Sequence, residues 1–311
     1  MNKPKLVVIG SLNMDIVVET DRYPQIGETI MGERIRFIPG GKGANQAVAG
    51  ARLGAETAMI GAVGEDAFGE ELLRSLQEDG VDVSGIKRVA GMSTGVASIY
   101  VAEGDNSIVV VPGANSRVEP ADIDRSEDKL RQADIVLLQL EIPVETVVYA
   151  ARKAKSLGKT VVLNPAPAQP LPDELFGLVD YMTPNRSELG RYTGMDTDGE
   201  ALEQAMQRMK EMGAAHIVTT LGSDGSAYLD DNGSMHTIPG YKVPVVDTTG
   251  AGDCYNAGLA LSIAAGRSLE EAIAFASLVS ALAVTKFGAQ AGMPTEAEAR
   301  RFAEEQQKTG A

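Results

Sequence analysis

Short runs of continuous apolar residues alternate with segments of helical periodicity along most of the chain. Residues 6–9, 57–63, 135–140, 160–163, 181–183 and 217–220 are such runs, rich in Val, Ile and Leu. Strands covered on both faces read this way. Helical patterns fill the intervals at 44–53, 68–78, 144–156 and 200–212. Gly54, Gly80, Gly158 and Gly213 follow these segments, where a left-handed residue ends a helix. Strand, helix, strand in succession predicts right-handed crossovers. The expected fold is α/β: a three-layer, doubly wound, mostly parallel sheet.

Two regions break the rhythm. Residues 15–38 and 94–112 read as strands with no helix between them. Residues 96–101 and 107–111 flank Glu103-Gly104-Asp105-Asn106, a hairpin signal. They predict a small antiparallel sheet, either a flap beside the main sheet or an extra edge of it. The stretch 165–172 (PAPAQPLP) reads as a stiff surface loop. The C-terminal third is helical at 252–265, 269–284 and 294–307, with Pro294 near the start of the last helix.

Composition narrows the function. A chain of 311 residues allows two domains, or one large α/β domain with an elaboration. The hydrophobic fraction of 44% and charged fraction of 23% are those of an ordinary globular protein. Acids outnumber bases 43 to 28, for a net charge of −15. That balance argues against a nucleic-acid partner and against an anionic membrane surface. An anionic small substrate stays open, because backbone N–H groups can cradle phosphate in an acidic protein. The one cysteine, Cys254, excludes an intramolecular disulfide and a multi-cysteine zinc site. With only His216 and His236, a histidine-rich metal centre is excluded too. The first apolar run is too short for a signal-peptide core, and no run reaches membrane-spanning length. The expected location is cytoplasmic.

Two glycine clusters carry candidate chemistry. Asp247-Thr248-Thr249-Gly250-Ala251-Gly252-Asp253 leads into a helix. Its glycines permit close backbone approach, and free N–H groups at a helix start form an anion hole. Asp253 then either caps the helix or accepts a proton from an attacking hydroxyl. Gly40-Gly41-Lys42-Gly43-Ala44-Asn45 also leads into a helix, either as a tight turn or as a ligand-binding turn. It is neither a P-loop nor a dinucleotide fingerprint. Both helix starts are expected to contribute positive field. Glu141, Asn164, Asn185 and Glu188 follow strands, as do Asn13 and Asp15. Doubly wound sheets bind ligands at such positions. Asn185 and Glu188 suit a hydrated magnesium ion, which takes few protein carboxylates. Cys254 reads as a small core residue, since neither histidine belongs to a partner motif. A label on it is expected to report on the neighbouring Asp253. Met206, Met209 and Met212 read as core or rim packing.

Gly40-Gly41-Lys42-Gly43-Ala44-Asn45-Gln46-Ala47 resembles the first signature of the ribokinase-like (phosphofructokinase-B type) carbohydrate kinases. Asp247 to Asp253 resembles the second. Gly10-Ser11-Leu12-Asn13-Met14-Asp15, Gln139-Leu140-Glu141, Asn164 to Ala168, Thr183-Pro184-Asn185, Thr220-Leu221-Gly222-Ser223 and Gly288-Ala289-Gln290 fall in the family's order. The likeness covers nearly the whole chain. It implies one α/β domain over 1–311, with a β-sheet lid from about 15–38 and 94–112.

The resemblance also implies an activity: ATP-dependent phosphorylation of D-ribose at O5. Alternatives are a kinase for fructose, a deoxy sugar, a sugar acid or a nucleoside, and a non-catalytic sugar binder. By position, Asp253 would be the base, with Gly250, Ala251 and Gly252 as the anion hole. Ser11, Asn13, Asp15, Gly40, Gly41, Lys42, Gly43, Asn45 and Glu141 would bind the sugar. Asn185, Glu188, Thr220, Leu221, Gly222, Ser223, Gly225, Gly252 and Ser277 would line the nucleotide site. Ser277 departs from the histidine found there in some relatives. Glu188 would hold Mg2+ through water. Asp247, Thr249, Ala283, Lys286, Gly288 and Gly292 match a monovalent-cation (K+) site, mostly through backbone carbonyls. A homodimer joined through the lid is implied as well.

Overall fold

A computed structural model describes residues 3–103 and 105–309. Gly104 of the expected hairpin turn lies outside them. The strands are β1 (Lys5–Ile9), β2 (Asn13–Glu19), β3 (Arg34–Gly40), β4 (Glu56–Gly64), β5 (Asp82–Val89), β6 (Gly95–Ala102) and β7 (Asp105–Val111). There follow β8 (Ile135–Leu138), β9 (Thr160–Leu163), β10 (Tyr181–Met182), β11 (His216–Thr220), β12 (Ser226–Leu229) and β13 (Met235–Ile238). The helices are α1 (Lys42–Arg52), α2 (Ala67–Glu78), α3 (Pro120–Arg125), α4 (Glu127–Gln132), α5 (Val144–Ser156) and α6 (Asp173–Leu178). The later ones are α7 (Arg186–Thr193), α8 (Ala201–Glu211), α9 (Ala251–Ala264), α10 (Leu269–Ala283), α11 (Ala289–Gly292) and α12 (Glu296–Thr309).

Nine strands form the main sheet in the order β13-β12-β11-β10-β9-β8-β1-β4-β5. All neighbours from β11 to β5 run parallel, and β12 and β13 add an antiparallel edge. Alternate residues of β1 bury on opposite faces. Val7 and Ile9 join the core under α3 to α8, and Leu6 and Val8 join the core under α1, α2, α9, α10 and α12. Met206 and Met209 are fully buried in the first core, and Met212 packs against it. Among the described residues no helix is long and apolar enough to cross a membrane.

The second sheet has the order β3-β2-β6-β7 and is separate from the first. It is therefore not an extra edge of the main sheet. It also corrects the expected pairing. The β2–β3 and β6–β7 pairs are antiparallel, but β2 and β6 run parallel from Asn13 opposite Gly95 to Glu19 opposite Val101. Antiparallel pairs join strands that follow one another in the second sheet, whereas the parallel β2–β6 pair closes across the intervening main-sheet strands. The run 135–140 is shorter as a strand than expected. Beyond Leu138 the chain leaves the ladder, and the Leu140 N–H bonds the Ala166 carbonyl at 3.0 Å.

This strand order fixes where a site can form. From β1 the chain moves outward to β4 and β5, then returns to place β8 on the other side of β1. The switch point lies between the carboxyl ends of β1 and β8, where such sheets open a crevice.

Candidate active site

The loops leaving β1 and β8 meet the start of α1 in this crevice. Gly41, at φ 89°, turns the chain into α1 with no side-chain cap. The backbone is so close that a Cβ on Gly43 would lie 2.6 Å from Ser11 N. The first N–H groups of α1 are satisfied by the protein itself. Lys42 N donates to Glu141 Oε2 (3.1 Å), Gly43 N to Ser11 Oγ (3.4 Å) and Ala44 N to the Ser11 carbonyl (2.9 Å). Those donors are taken, so any positive field from this helix start reaches a ligand without free N–H groups of Lys42, Gly43 or Ala44. Ser11 is fully buried and donates its hydroxyl to Glu141 Oε2 (2.5 Å), so it acts by holding Glu141.

The start of α9 differs. Gly250, at φ 79°, is its N-cap, again without a side-chain cap. The Ala251 N–H turns back to the Thr248 carbonyl (3.2 Å). The N–H groups of Gly250, Gly252 and Asp253 have no acceptor among the described residues. So Ala251 is not a free donor of the expected hole, while Gly250 and Gly252 are. A Cβ on Gly252 would meet open space. Asn256, one turn on, ties the Gly252 carbonyl (2.8 Å) and accepts from Thr183 Oγ1 (2.5 Å).

Asp253 is buried between the two helix starts. Asn45 Nδ2 donates to its Oδ2 (2.9 Å) and Gln46 Nε2 to its Oδ1 (3.1 Å). Burial raises the proton affinity of this carboxyl, against the opposing pull of Lys42, Asn45 and Gln46. Burial also depresses the Lys42 ammonium, but the charges of Asp253, Glu141 and Glu188 outweigh it and hold its pKa above the ordinary value. For Asp15, burial and then the charges of Glu141 and Asp253 push the carboxyl up to about 7. Burial raises Glu188 too, offset in part by the Asn185 N–H and Lys42. Carboxyls shifted by burial around one lysine mark a functional site.

A cleft of about 240 Å³ opens above Asp253, bounded by Lys42, Asn164, Asn185, Glu188, Thr220, Gly250 and Gly252 among others. Asn185 and Glu188 are also a reciprocal cap on α7: Asn185 Oδ1 accepts from Glu188 N (2.8 Å) and Glu188 Oε2 from Asn185 N (2.9 Å). The same two residues thus cap α7 and border the cleft.

The other sequence-predicted residues gather in four places. Asn13 lies at the start of β2, where its Oδ1 accepts from Asn115 Nδ2 (2.8 Å). A Cβ on Gly40 would collide with the Asp15 carboxyl. Leu221, Gly222, Ser223 and Gly225 form the turn after β11, next to Thr220. Ser277 sits inside α10, in a buried nest with Tyr255 and Ser226, none of whose hydroxyls closes a hydrogen bond of ordinary geometry. Asp247, Thr249 and Gly288 are joined by hydrogen bonds to the Asp247 carboxylate. A Cβ on Gly292 would lie 2.8 Å from the Ala283 carbonyl oxygen and 3.7 Å from that of Lys286. The Lys286 ammonium pairs instead with Glu298 (2.7 Å).

Cys254 follows Asp253 but faces inward, its thiol donating to the Val279 carbonyl (3.3 Å). It is fully buried and its thiol pKa is pushed far up, so it is core, as expected. The expected use of a label there is corrected, because no thiolate is accessible. Gln46, Gln139 and Asn115 carry no expected role. All three are buried polar residues bonded to the site. The available signal was polar residues in otherwise apolar stretches.

An α/β switch-point crevice with unbonded helix N–H groups beside a buried carboxylate is an arrangement that can set a phosphate-bearing ligand against a proton acceptor. The family model for pfkB carbohydrate kinases matches residues 3–296. A ribokinase of Bacillus subtilis (strain 168) is 43% identical over 294 residues, covering 94% of this chain and 97% of its own length. A ribokinase of Haemophilus influenzae is 40% identical over 301 residues, covering 96% and 98%. The solved structure of Arabidopsis thaliana ribokinase with ribose and ATP superposes with a TM-score of 0.91 at 36% identity, covering 97% of this chain and 99% of that one. The chain belongs to the pfkB family of carbohydrate kinases.

Proposed function

We propose that this chain transfers the terminal phosphoryl group of ATP to O5 of D-ribose, giving ribose 5-phosphate. One observation carries the reading: the buried Asp253 carboxylate stands beside the unbonded N–H groups of Gly250 and Gly252 at the positive end of α9. Phosphoryl transfer needs alignment and charge stabilisation more than covalent help. Asp253 accepts the proton of the attacking hydroxymethyl group, and the N–H groups stabilise charge on the transferring phosphoryl oxygens. Two ribokinase relatives and the ribose-and-ATP complex of the Arabidopsis protein support this choice of substrates.

Asn13, Asp15, Gly40, Gly41, Lys42, Gly43, Asn45 and Glu141 would hold the sugar, with Ser11 acting through Glu141. Asn185, Thr220, Leu221, Gly222, Ser223, Gly225 and Gly252 would line the ATP site, with Ser277 at its buried edge. Magnesium bound with ATP would neutralise phosphate charge. Glu188 fits it, since Oε2 is committed to Asn185 N and Oε1 has no hydrogen bond in the α7 cap. A potassium ion would be held by the Ala283 and Lys286 carbonyl oxygens, which converge beside Gly292, together with Asp247, Thr249 and Gly288, which are hydrogen-bonded to one another. The second sheet would serve as a lid that keeps water from competing as acceptor. Its exposed Ile35, Phe37, Ile108 and Val109 would join two lids in a homodimer. A cytoplasmic location completes the reading.

The test is ADP release with D-ribose, 2-deoxyribose, fructose, a sugar acid and adenosine as acceptors. The proposal requires the largest kcat/KM with ribose. A larger value with another acceptor reassigns the substrate. Ribose binding without ADP release at any magnesium or potassium concentration makes the chain a sugar binder.

A further inference from the structure

We infer that Gln46 and Gln139 form a directional chain of amides that orients the Asp253 carboxylate, which makes both of them positioning residues for phosphoryl transfer. The inference rests on the reading of Asp253 as the base. Gln46 lies on α1 and Gln139 just beyond β8, and both are fully buried. Gln46 Nε2 donates to Asp253 Oδ1 (3.1 Å) and, at 3.4 Å, to Asn164 Oδ1. Gln139 Nε2 donates to Gln46 Oε1 (2.5 Å).

The charge on Asp253 sets the direction. An ionised carboxylate only accepts, so Gln46 must turn its NH2 group towards it. Its carbonyl oxygen then faces Gln139, which must in turn present its own NH2 group. The Gln139 oxygen is left at the far end, buried and without a partner. That oxygen lies against Gly10, where any Cβ would collide with it. Turning Gln139 round would set two carbonyl oxygens face to face. A pair of apolar side chains would fill the same space with no orphaned oxygen. The cost is explained if the chain acts on Asp253.

Asn45 holds one oxygen of the base and Gln46 the other, so the carboxylate plane cannot rotate without breaking a bond. Other charged groups act on Asp253 from every side: Lys42 on α1, Glu141 after β8, Asp15 on β2 and Glu188 on α7. The buried Cys254 thiol adjoins it. None of these changes when a glutamine is replaced by methionine, which is similar in size.

The experiment compares Gln46→Met, Gln139→Met and Asp253→Asn with wild type, measuring kcat and KM against pH. Gln46→Met should lower kcat by roughly 10–100-fold, the effect of a misplaced reacting group. KM for ribose and ATP should stay within about threefold of wild type. The acid limb of kcat should rise by about one pH unit, because the ionised base loses a donor. Gln139→Met should move the same quantities the same way by less. Normal kcat in Gln46→Met, or a reduced kcat with an unmoved acid limb, overturns the inference. If Gln46→Met does not fold, the limb of Gln139→Met decides alone. In wild type, the Gln46 side-chain amide protons should exchange slowly and their resonances should shift in Asp253→Asn. Unshifted resonances overturn the inference whichever variants fold. Retained activity in Asp253→Asn defeats the base reading itself, a result separate from either.

Discussion

Helices α1 and α9 both begin at a glycine of positive φ with no side-chain cap, yet their first turns do opposite things. At α1 the chain needs its glycines for itself. The Gly43 position is closed by the backbone of Ser11 and Gly10, and the first N–H groups bond Ser11 and Glu141. At α9 the Gly252 position faces open space, and its N–H has no acceptor among the described residues. A glycine required by packing and a glycine left open for a ligand look identical in a sequence. What separates them is whether a Cβ would meet protein. The capped helices α7 and α10 give the reference state, with Asn185 and Ser268 closing their first turns.

The largest expected effect concerns the carboxyls crowded at the α1 side. Asp15 has a folded-state pKa of about 7 against an ordinary 3.8. The folded protein therefore holds the extra proton between about pH 4 and 7, and stability is lost as pH rises through that window. Above pH 7 the penalty is at most about 4 kcal/mol. Asp15→Asn should raise the melting temperature at pH 8 and leave it nearly unchanged at pH 4. Equal gains at both pH values would remove the carboxyl crowding from the account.

Gly43→Ala comes next. Its Cβ would meet backbone that has no room to yield, so a loss of about 1–3 kcal/mol in chemical unfolding is expected. Gly252→Ala should do the reverse. Thermal stability holds or improves, because Ala is the better helix former by about 1 kcal/mol. Turnover falls about tenfold or more, because the methyl group enters the space assigned to the phosphate. An unstable but active Gly252→Ala would erase the distinction between the two helix starts. Ser268→Ala sets the scale at the small end. It should cost about 1 kcal/mol in stability and nothing in turnover, as for any lost cap.

The sequence legibly carried the parallel sheet because fully buried strands are continuous apolar runs, as at Thr160–Leu163. It did not reveal β5, whose residues DVSGIKRV mix charge with apolar positions at the sheet edge. Nor did it reveal β12 and β13, four residues each on an antiparallel edge. The run at 135–140 overshot because Leu140 is as buried as a strand residue while bonding a loop. The parallel pairing of β2 with β6 depends on the closure of the whole fold, which periodicity cannot encode. At the site, the glycine clusters and carboxylates were legible by residue type. The amide chain was not: Gln46 in a helix reads as surface, and Gln139 at the end of an apolar run shows no partner until the two are brought together. The taken N–H groups of α1 were hidden for the same reason: their acceptors, Ser11 and Glu141, come from the ends of other strands.

The proposed reaction depends most directly on Asp253 as proton acceptor. Its test is ribose phosphorylation by the Asp253→Asn protein, with folding checked by melting and sugar binding by calorimetry. A folded variant that still binds ribose should turn over at least about a hundredfold more slowly than wild type, the low end for a lost general base. Near-normal turnover in that same folded variant would contradict it.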